Sequence, residues 1–377
     1  MKNKIRLLIS LCLIIMLISS FKSKNFTVNR NYYQGQRITR ASEYLMVRAN
    51  QDWISNYEDG NKGEMYTFKH INENQSEVSD FRYIGKEAKN YIYFNCLDTS
   101  NVSTCELWRI IGVFKVENNY KQNQYRIKII RDEPIEKMAW NSNGVSDWNN
   151  ASIMKYLNKG DYWYSIRGKA QNTIDITKYY IGGNNRIDLN ANDLYNLEHS
   201  TNSYNNYPYD FYGKIGLITP SDYSYTFGYG VNNECYNNIY NCSNRDESWL
   251  KFDGGAWSMI PSSISNNAYT VGDNSFQKNV SELYSVYPVL YLKYDIVIES
   301  GNGVPNDAYM IRILSSSEIQ SEQDMLKNGN VGDKTNVNVD DTSSFISSII
   351  IIVSAIVIAV GFVIFGINII KSRRELK

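Results

Sequence analysis

Residues 106–131 read ELWRIIGVFKVENNYKQNQYRIKIIR, and this stretch predicts a β-hairpin. Residues 106–116 and 124–131 are both rich in β-branched and aromatic residues, which favour strands. The polar run Glu117-Asn118-Asn119 lies between them and is typical of a turn. Just before the hairpin, NYIYFNC at residues 90–96 has the alternation expected of another strand.

Outward from this hairpin, the chain combines short predicted strands, few helices and long loops. Apolar spacing predicts helices at residues 39–55 and 147–157, the second capped by Asn149 or Asn150. Residues 161–207 are polar and turn-rich, and Pro220 lies near the start of a predicted helical turn. Further strands are predicted at residues 214–219, 257–260, 268–271 and 289–298. This mixture indicates a loop-rich α+β domain with short antiparallel strands.

The composition excludes two broad classes of protein. The 377 residues include 39 Lys+Arg and 39 Asp+Glu, so the formal net charge is zero. A chain with no basic excess lacks the charge pattern of a general nucleic-acid binder, and we predict no nucleic-acid partner. With 43% hydrophobic and 14% aromatic residues, the chain is also too apolar to be a disordered protein.

The C-terminal region predicts a membrane anchor. Residues 342–370 contain no charged side chain. At about 1.5 Å per residue, a helix over residues 346–370 would span about 37 Å, more than the roughly 30 Å hydrocarbon core of a bilayer. We therefore predict a transmembrane helix at residues 345–370. The basic tail at residues 371–377 is predicted to be cytoplasmic by the positive-inside rule.

The N-terminal region is a second membrane signal. Lys2, Lys4 and Arg6 precede an apolar run at residues 7–18, which has the length of a signal-peptide core. Residues 1–24 are therefore interpreted as a signal peptide or as an uncleaved N-terminal anchor. Either alternative places residues 25–344 outside the cytoplasm, in a single-pass protein if cleavage occurs and in a two-pass protein if it does not.

Three regions are predicted between the two membrane signals. Residues 25–80 form a helical and extended lead-in, and residues 81–314 form the α+β domain. Residues 315–344 contain six acidic and two basic residues and no aromatic residue. Such a composition cannot bury an apolar core and predicts a polar, flexible stalk.

Four cysteines in the predicted external region fall into two local pairs, Cys96 with Cys105 and Cys235 with Cys242. An exported location permits disulfides, and the short separations favour bonding within each local pair. Metal binding is the alternative, but the cysteines lack the close spacing of common zinc motifs and the two histidines are distant in sequence. If both disulfides form, no free thiol remains in the external region.

One acidic stretch resembles the start of a calcium-binding loop. Asp188, Asn190 and Asn192 have the spacing of the first EF-hand ligands, and Asp193 follows them. The loop departs from the EF-hand pattern because the sixth position is Asp193 rather than Gly and the twelfth is His199 rather than Glu. Helix capping ahead of residue 194 is the alternative to calcium binding, and no other cofactor is predicted. His70 and His199 are each interpreted as surface loop residues.

Aromatic side chains supply the candidate ligand-binding residues. Trp163, flanked by Tyr162 and Tyr164, is predicted to be an exposed platform on which a sugar ring stacks. Trp108 and Trp257 are instead expected to fill the core of a loop-rich domain.

Several stretches resemble an uncharacterised extracellular domain of membrane-anchored surface proteins from low-GC Gram-positive bacteria. In chain order they are EMYTF (64–68), DFRYIG (80–85), YIYFNC (91–96), CELWRIIGVF (105–114), KIGLITPSDY (214–223), YPVLYLK (287–293) and SGNG (300–303). The resemblance covers about residues 40–312 and implies no established activity. More distantly, the layout is similar to the C-type-lectin-like and formylglycine-generating-enzyme-like superfold. The copper-binding cysteine pair of those enzymes is not matched by Cys235 and Cys242, which lie in an Asn-rich loop.

Three functions remain open at the level of sequence. The favoured one is a membrane-anchored surface module that binds a glycan or protein ligand, and it fits the absence of common catalytic motifs. The second is a cell-wall or glycan-processing enzyme in which two carboxyl groups meet in the folded chain. The third is a structural or signalling protein that acts through a membrane partner.

Overall fold

In the computed structural model, the described part of the chain is built mainly from short antiparallel strands. The structure describes residues 31–33, 36–56, 65–71, 77–182, 189–201, 207–227, 234–273 and 276–327. Numbered in chain order, the strands are β1 Asn31–Tyr33, β2 Gln36–Ile38, β3 Met65–Ile71, β4 Glu77–Tyr83, β5 Tyr91–Phe94, β6 Glu106–Glu117, β7 Asn123–Arg131, β8 Lys137–Ala139, β9 Thr177–Tyr180, β10 Asp210–Gly213, β11 Ile215–Gly216, β12 Ala256–Pro261, β13 Asn267–Val271, β14 Gln277–Asn279, β15 Leu283–Ser285, β16 Val289–Tyr291, β17 Ile296–Ser300 and β18 Met310–Ile313. The helices are α1 Ala41–Asn56, α2 Ser152–Lys159, α3 Asp161–Ser165, α4 Gly168–Gln171, α5 Ala191–Glu198, α6 Pro220–Tyr225, α7 Glu234–Asn237 and α8 Ser316–Lys327. The α+β class predicted from the sequence is confirmed.

The predicted hairpin lies inside a seven-stranded antiparallel sheet. The strand order is β11-β16-β7-β6-β4-β3, and β5 also pairs with β6. The β6–β7 ladder runs from Trp108 opposite Arg131 to Glu117 opposite Asn123. Gly112 lies where β4 approaches β6 so closely that a Cβ atom would come within 2.2 Å of the Phe81 carbonyl oxygen. The sheet therefore requires a residue without a side chain at this position.

Smaller sheets surround the seven-stranded sheet. A five-stranded sheet has the order β14-β13-β12-β15-β8, in which the β12–β15 pairing is parallel. Three two-stranded antiparallel sheets join β1 with β2, β9 with β10, and β17 with β18. Most pairings are thus antiparallel, as the sequence predicts.

Tryptophans fill the core between these sheets. Trp108 and Trp257 are fully buried, which confirms their predicted role in the core. Trp140 and Trp148 are buried as well and meet edge to face at 5.5 Å. Two indole N–H groups keep hydrogen-bond partners, since Trp140 donates to the Ser258 carbonyl at 3.0 Å and Trp257 to the Met138 carbonyl at 2.8 Å. These bonds connect residues 138–140 to strand β12.

The predicted strand and helical turn around Pro220 are confirmed as β11 and α6. Thr219 accepts a hydrogen bond from the Asp222 backbone N–H and caps the helix, and Pro220 occupies the first turn, where a missing N–H costs little. The helix is short and completely buried. Its position therefore depends on contacts with the rest of the domain rather than on its own helical propensity.

Three regions differ from the sequence-based expectation. Residues 161–207, predicted to lack regular structure, contain α3, α4, β9 and α5. The single strand predicted at residues 289–298 is two strands, and β16 and β17 belong to different sheets because a turn at Tyr294 and Asp295 separates them. Helix α2 begins at Ser152, since Asp147 caps a separate 3-10 turn at Trp148–Asn150.

The beginning of the predicted stalk is the helix α8. The Arg40 guanidinium donates two hydrogen bonds, of 2.8 and 2.7 Å, to the Glu322 carboxylate, and both side chains are buried. This bidentate pair attaches α8 to the start of α1, which explains why the polar sequence is ordered here. The predicted boundary between residues 80 and 81 falls inside β4, so the lead-in and the domain share one sheet.

The membrane predictions lie outside the described residues. The described residues hold no helix that is both long and apolar enough to cross a membrane. Residues 1–24, 328–344, 345–370 and 371–377 are not among them.

Both predicted disulfides are present, Cys96–Cys105 and Cys235–Cys242. We expect thiol alkylation of the unreduced, denatured chain to leave these four cysteines unlabelled and alkylation after reduction to label all four. Cys12 lies outside the described residues and serves as the internal control if the N-terminal segment is retained. Peptide mass spectrometry that finds any of the four labelled before reduction would contradict the pairing.

A buried ion pair connects β7 to α6. The Lys128 Nζ lies 2.5 Å from Asp222 Oδ2, and both side chains are buried. Lys128→Met leaves part of the buried Asp222 charge uncompensated. We therefore expect the free energy of unfolding, measured in urea, to be about 3 kcal/mol lower than that of the wild type.

Lys251→Met is the matched control, because the Lys251–Asp246 pair has a similar length of 2.9 Å but is exposed. We expect it to change the unfolding free energy by less than about 1 kcal/mol. Unfolding of the full chain is measured by tryptophan fluorescence. Equal effects of the two substitutions on the free energy of unfolding would show that the buried pair does not stabilise the fold.

Candidate functional site

A cavity of about 580 Å³ lies between the seven-stranded sheet and the helices α5 and α6. Strands β4, β6 and β7 supply its floor, β9 and the end of α5 supply side walls, and the start of α6 closes one end. Its lining combines aromatic rings with charged and hydroxyl side chains, among them Arg82, Phe114, Lys128, Tyr179, Tyr180, Tyr195, Glu198, His199, Ser221, Asp222 and Tyr291. We call this cavity the pocket.

The floor of the pocket is a network of buried charges centred on Asp222. One carboxylate oxygen lies 2.6 Å from the Arg82 guanidinium and the other 2.5 Å from the Lys128 ammonium. Arg82 also binds Asp80 at 3.0 Å, and its guanidinium lies 4.5 Å from the centre of the Phe114 ring. Strand alternation places Asp80 and Arg82 on the same face of β4, and α6 brings Asp222 to them.

These cations keep the two aspartates ionised. Burial alone would raise the pKa of Asp222, but Lys128 and Arg82 outweigh it and hold that pKa at about 2. The pKa of Asp80 is likewise lowered, because Arg82 and the neighbouring His70 outweigh the effect of burial.

Glu198 has the opposite character. Burial and the negative charge of Asp222 raise its pKa to about 7, even though hydrogen bonds from Ser221 favour the ionised form. Its carboxyl accepts the Ser221 backbone N–H at 2.8 Å and forms a short hydrogen bond with the Ser221 hydroxyl. Glu198 therefore connects the end of α5 to the first turn of α6 and is partly protonated at neutral pH.

A ladder of four stacked rings forms one side of the site. His70 stacks on Tyr195 with ring centres 3.8 Å apart, and Tyr195 stacks on His199, also at 3.8 Å. His199 in turn lies 4.1 Å from Tyr180. We call His70, Tyr195, His199 and Tyr180 the aromatic ladder, and its last three members line the pocket.

His199 is a neutral hydrogen-bond acceptor in this ladder. Burial lowers its pKa to about 4, so the imidazole is uncharged at neutral pH. Its Nδ1 lies 2.8 Å from the Tyr195 carbonyl oxygen, which only accepts, and Nδ1 therefore carries the proton. The other nitrogen, Nε2, is left as an acceptor for a hydroxyl or amide donor.

The prediction that His70 and His199 are surface loop residues is wrong. His70 lies on β3 and is 4% exposed, because alternation turns residues 66, 68 and 70 inward and leaves the neighbouring Ile71 59% exposed. His199 ends α5 and is held between two tyrosines.

The predicted aromatic platform is not assembled. Tyr162 is buried, and Tyr164 is 73% exposed. Trp163 is half-buried, and the Lys214 ammonium covers its ring at 3.7 Å. These consecutive residues of α3 point in different directions, and none of them lines the pocket.

The predicted calcium ligands belong to a helix cap where they are described. Asn190 accepts the Asp193 backbone N–H at 3.0 Å and donates its amide to the Asp193 carboxylate at 2.9 Å, at the start of α5. Asn192 is half-buried on the same helix, and Asp188 lies outside the described residues. Within the described ranges, no three His, Cys, Asp or Glu side chains are grouped so as to hold a metal ion.

Sequence reasoning missed the residues that build the pocket. Arg82 and Lys128 occur within apolar strand patterns, where an inward charged side chain demands a partner. Asp222 is part of the quoted KIGLITPSDY stretch, yet its partners lie 140 and 94 residues away in sequence. Only the unusual charges within strands signalled the site.

Comparison of the chain with protein-family models, with curated proteins and with solved structures finds no significant match.

Glu198 should make the stability of the fold depend on pH. Below about pH 4.5 its carboxyl is protonated in both the folded and the unfolded chain. Between about pH 4.5 and 7 the unfolded chain ionises first, so the folded state loses stability as the pH rises. We expect Glu198→Gln to gain stability relative to the wild type across this interval, by up to about 3 kcal/mol.

The measurement is the difference in unfolding free energy between variant and wild type at a series of pH values. His199, whose lowered pKa acts in the opposite direction below pH 6.5, is common to both chains and cancels to first order. Glu87→Gln alters an exposed carboxyl and is expected to give a constant difference. If the difference in unfolding free energy between Glu198→Gln and the wild type did not change with pH, the raised pKa of Glu198 would be contradicted.

Proposed function

We propose that this protein is a membrane-anchored, extracytoplasmic binding module whose pocket accepts an uncharged saccharide. The observation that carries the proposal is the pocket itself, in which stacked aromatic rings face a charge-balanced polar floor. Sugar rings present apolar C–H faces to aromatic side chains and hydroxyl groups to polar ones. The pocket volume of about 580 Å³ is within the range of small-molecule sites.

The charge balance favours an uncharged ligand. Four cationic and four carboxylate side chains line the pocket, namely Arg82, Lys115, Lys128 and Lys178 against Asp80, Glu117, Glu198 and Asp222. The floor charges neutralise one another through short contacts rather than facing a ligand of one sign. A charged ligand would meet groups of its own sign within this cavity.

The geometry of hydrogen bonding also suits a polyol. His199 Nε2 accepts and partly protonated Glu198 accepts or donates. The Ser221 hydroxyl, which already donates to Glu198, and the neighbouring Thr219 hydroxyl keep lone pairs that accept. A saccharide hydroxyl, which both donates and accepts, matches this set.

The cellular setting extends the proposal. The two disulfides fit an oxidising, exported location. The apolar residues 345–370 supply a single anchor, or one of two if residues 1–24 are retained. We retain the resemblance to surface domains of low-GC Gram-positive bacteria and, more distantly, to C-type-lectin-like folds as part of this proposal.

The test is a glycan array of neutral, amino and acidic oligosaccharides probed with the full chain in mild detergent, with calorimetry on the ligands found. We expect binding to neutral sugars. Tyr180→Leu removes the outer ring of the aromatic ladder, next to which the Lys178 ammonium lies 4.8 Å from the ring centre. Loss of about 0.5–1.5 kcal/mol of stacking corresponds to roughly 2–13-fold weaker binding.

Tyr164→Leu is the matched control, because Tyr164 is an exposed tyrosine that does not line the pocket. The affinity of this variant for the glycan should equal that of the wild type. Absence of binding across the array would remove the saccharide proposal. Equal weakening by both substitutions would place the ligand elsewhere on the surface.

A glycan-processing enzyme is the second candidate, favoured by one observation. Glu198 and Asp222 line the same pocket with pKa values of about 7 and about 2, a division that suits a proton donor beside an ionised carboxylate. Binding ranks first because both Asp222 oxygens are already held by cations. The enzyme hypothesis predicts shortened glycan products in the samples used to measure binding. It would be favoured if Glu198→Gln abolished these products while glycan binding persisted.

A further inference from the structure

Exposed apolar side chains cluster beside the first disulfide, away from the pocket lining. In the loop closed by Cys96–Cys105, Leu97 is 71% and Val102 is 46% exposed. The Arg167 backbone N–H donates to the Asn95 side chain at 2.8 Å, so the end of α3 lies next to this loop. Tyr164, which is 73% exposed, lies three residues before Arg167.

The segment that ends beside this loop carries exposed positive charge. Residues 152–171 contain four basic side chains against one acidic side chain, Asp161. Helix α2 buries Ile153, Met154 and Leu157 and leaves Lys155 and Lys159 exposed one turn apart. Lys169 is exposed near the loop carboxylate Asp98. Within the described residues, no carboxylate forms a salt bridge with any of these three lysines.

The disulfide loop is ordered rather than loosely tethered. Asn101 caps the short 3-10 helix Val102–Thr104, and the Thr104 hydroxyl donates to the backbone carbonyls of Asp98 and Asn101. The Leu97 backbone N–H donates to the Thr104 carbonyl at 3.2 Å. An apolar side chain held outward by such a loop is exposed in a fixed position, which lowers the entropy lost on contact.

We propose that this surface docks onto an anionic lipid bilayer. We call it the lipid-facing patch and define it by Leu97, Val102, Lys155, Lys159, Tyr164 and Lys169. The lysines match lipid phosphates, and a partly polar aromatic ring such as Tyr164 suits the headgroup region. Leu97 and Val102 gain by entering the acyl boundary, whereas a soluble polyanion would use the lysines and leave both aliphatic side chains in water.

The docking is independent of the saccharide proposal because no residue of the patch lines the pocket. The test places the full chain in nanodiscs of phosphatidylcholine, with or without about 30% phosphatidylglycerol. It rests on the proposed anchor, which would insert the chain into the discs. We expect amide exchange at residues 96–105 and 161–169 to be slower by about threefold or more in the anionic discs.

Two variants separate the contributions of charge and apolar contact. Lys155→Glu combined with Lys159→Glu should abolish the difference between anionic and neutral discs. Leu97→Ser combined with Tyr164→Ser should reduce protection in the anionic discs. Leu283→Ser, which alters a 65% exposed leucine on β15 outside the patch, is the matched control and should behave as the wild type.

Three results would overturn the proposal. The first is equal exchange of the wild type in both kinds of disc. The second is equal protection of the same amides by inorganic polyphosphate added to neutral discs, which would identify a soluble polyanion as the partner. The third is failure of the chain to enter discs at all, which removes the anchor. Saccharide binding, measured on the same samples, reports on the pocket separately.

Discussion

The buried charge of Asp222 constrains the rest of the structure. A carboxylate removed from water needs compensation, and Arg82 and Lys128 supply it from two different strands of the seven-stranded sheet. Because α6 is short, its position depends on this compensation together with its buried tyrosines. Once α6 is fixed, it presents Ser221 to Glu198, which in turn fixes the end of α5. The two ion pairs of Asp222 thus help to place both helices that bound the pocket.

This arrangement concentrates unfavourable groups in the pocket. Glu198 is buried beside the negative charge of Asp222, and His199 is a half-buried, neutral imidazole held between two tyrosine rings. Stability alone would favour apolar residues at such positions, since a buried polar network is often neutral or destabilising compared with well-packed hydrophobic side chains. Concentration of perturbed groups around a cavity is the pattern of a functional site. We propose recognition rather than catalysis as that function, because the Asp222 carboxylate is already held by two cations.

The elements predictable from sequence were those with a local signal. The hairpin β6–β7, the helix α1 and the start of α6 follow from β-branched runs, helical spacing and a proline at the start of a helical turn, all readable within about ten residues. In residues 161–207, α3, α4 and β9 were missed because elements of four or five residues are too short to show a period. β9 also depends on pairing with β10, whose sequence lies about thirty residues away. The disulfides were predictable because their partners are close in sequence, whereas the pocket joins side chains from eight elements and has no local pattern.

The helix α8 changes how the membrane and the domain would act together. With Arg40 holding Glu322, the tether to the proposed anchor is reduced from residues 315–344 to residues 328–344. A tethered surface meets its partner at high effective concentration, so a weak contact at the lipid-facing patch suffices to orient the domain. The patch has few aliphatic and basic side chains, so its affinity for a bilayer would be modest. That affinity would suffice to orient the domain only if the chain is attached to the membrane.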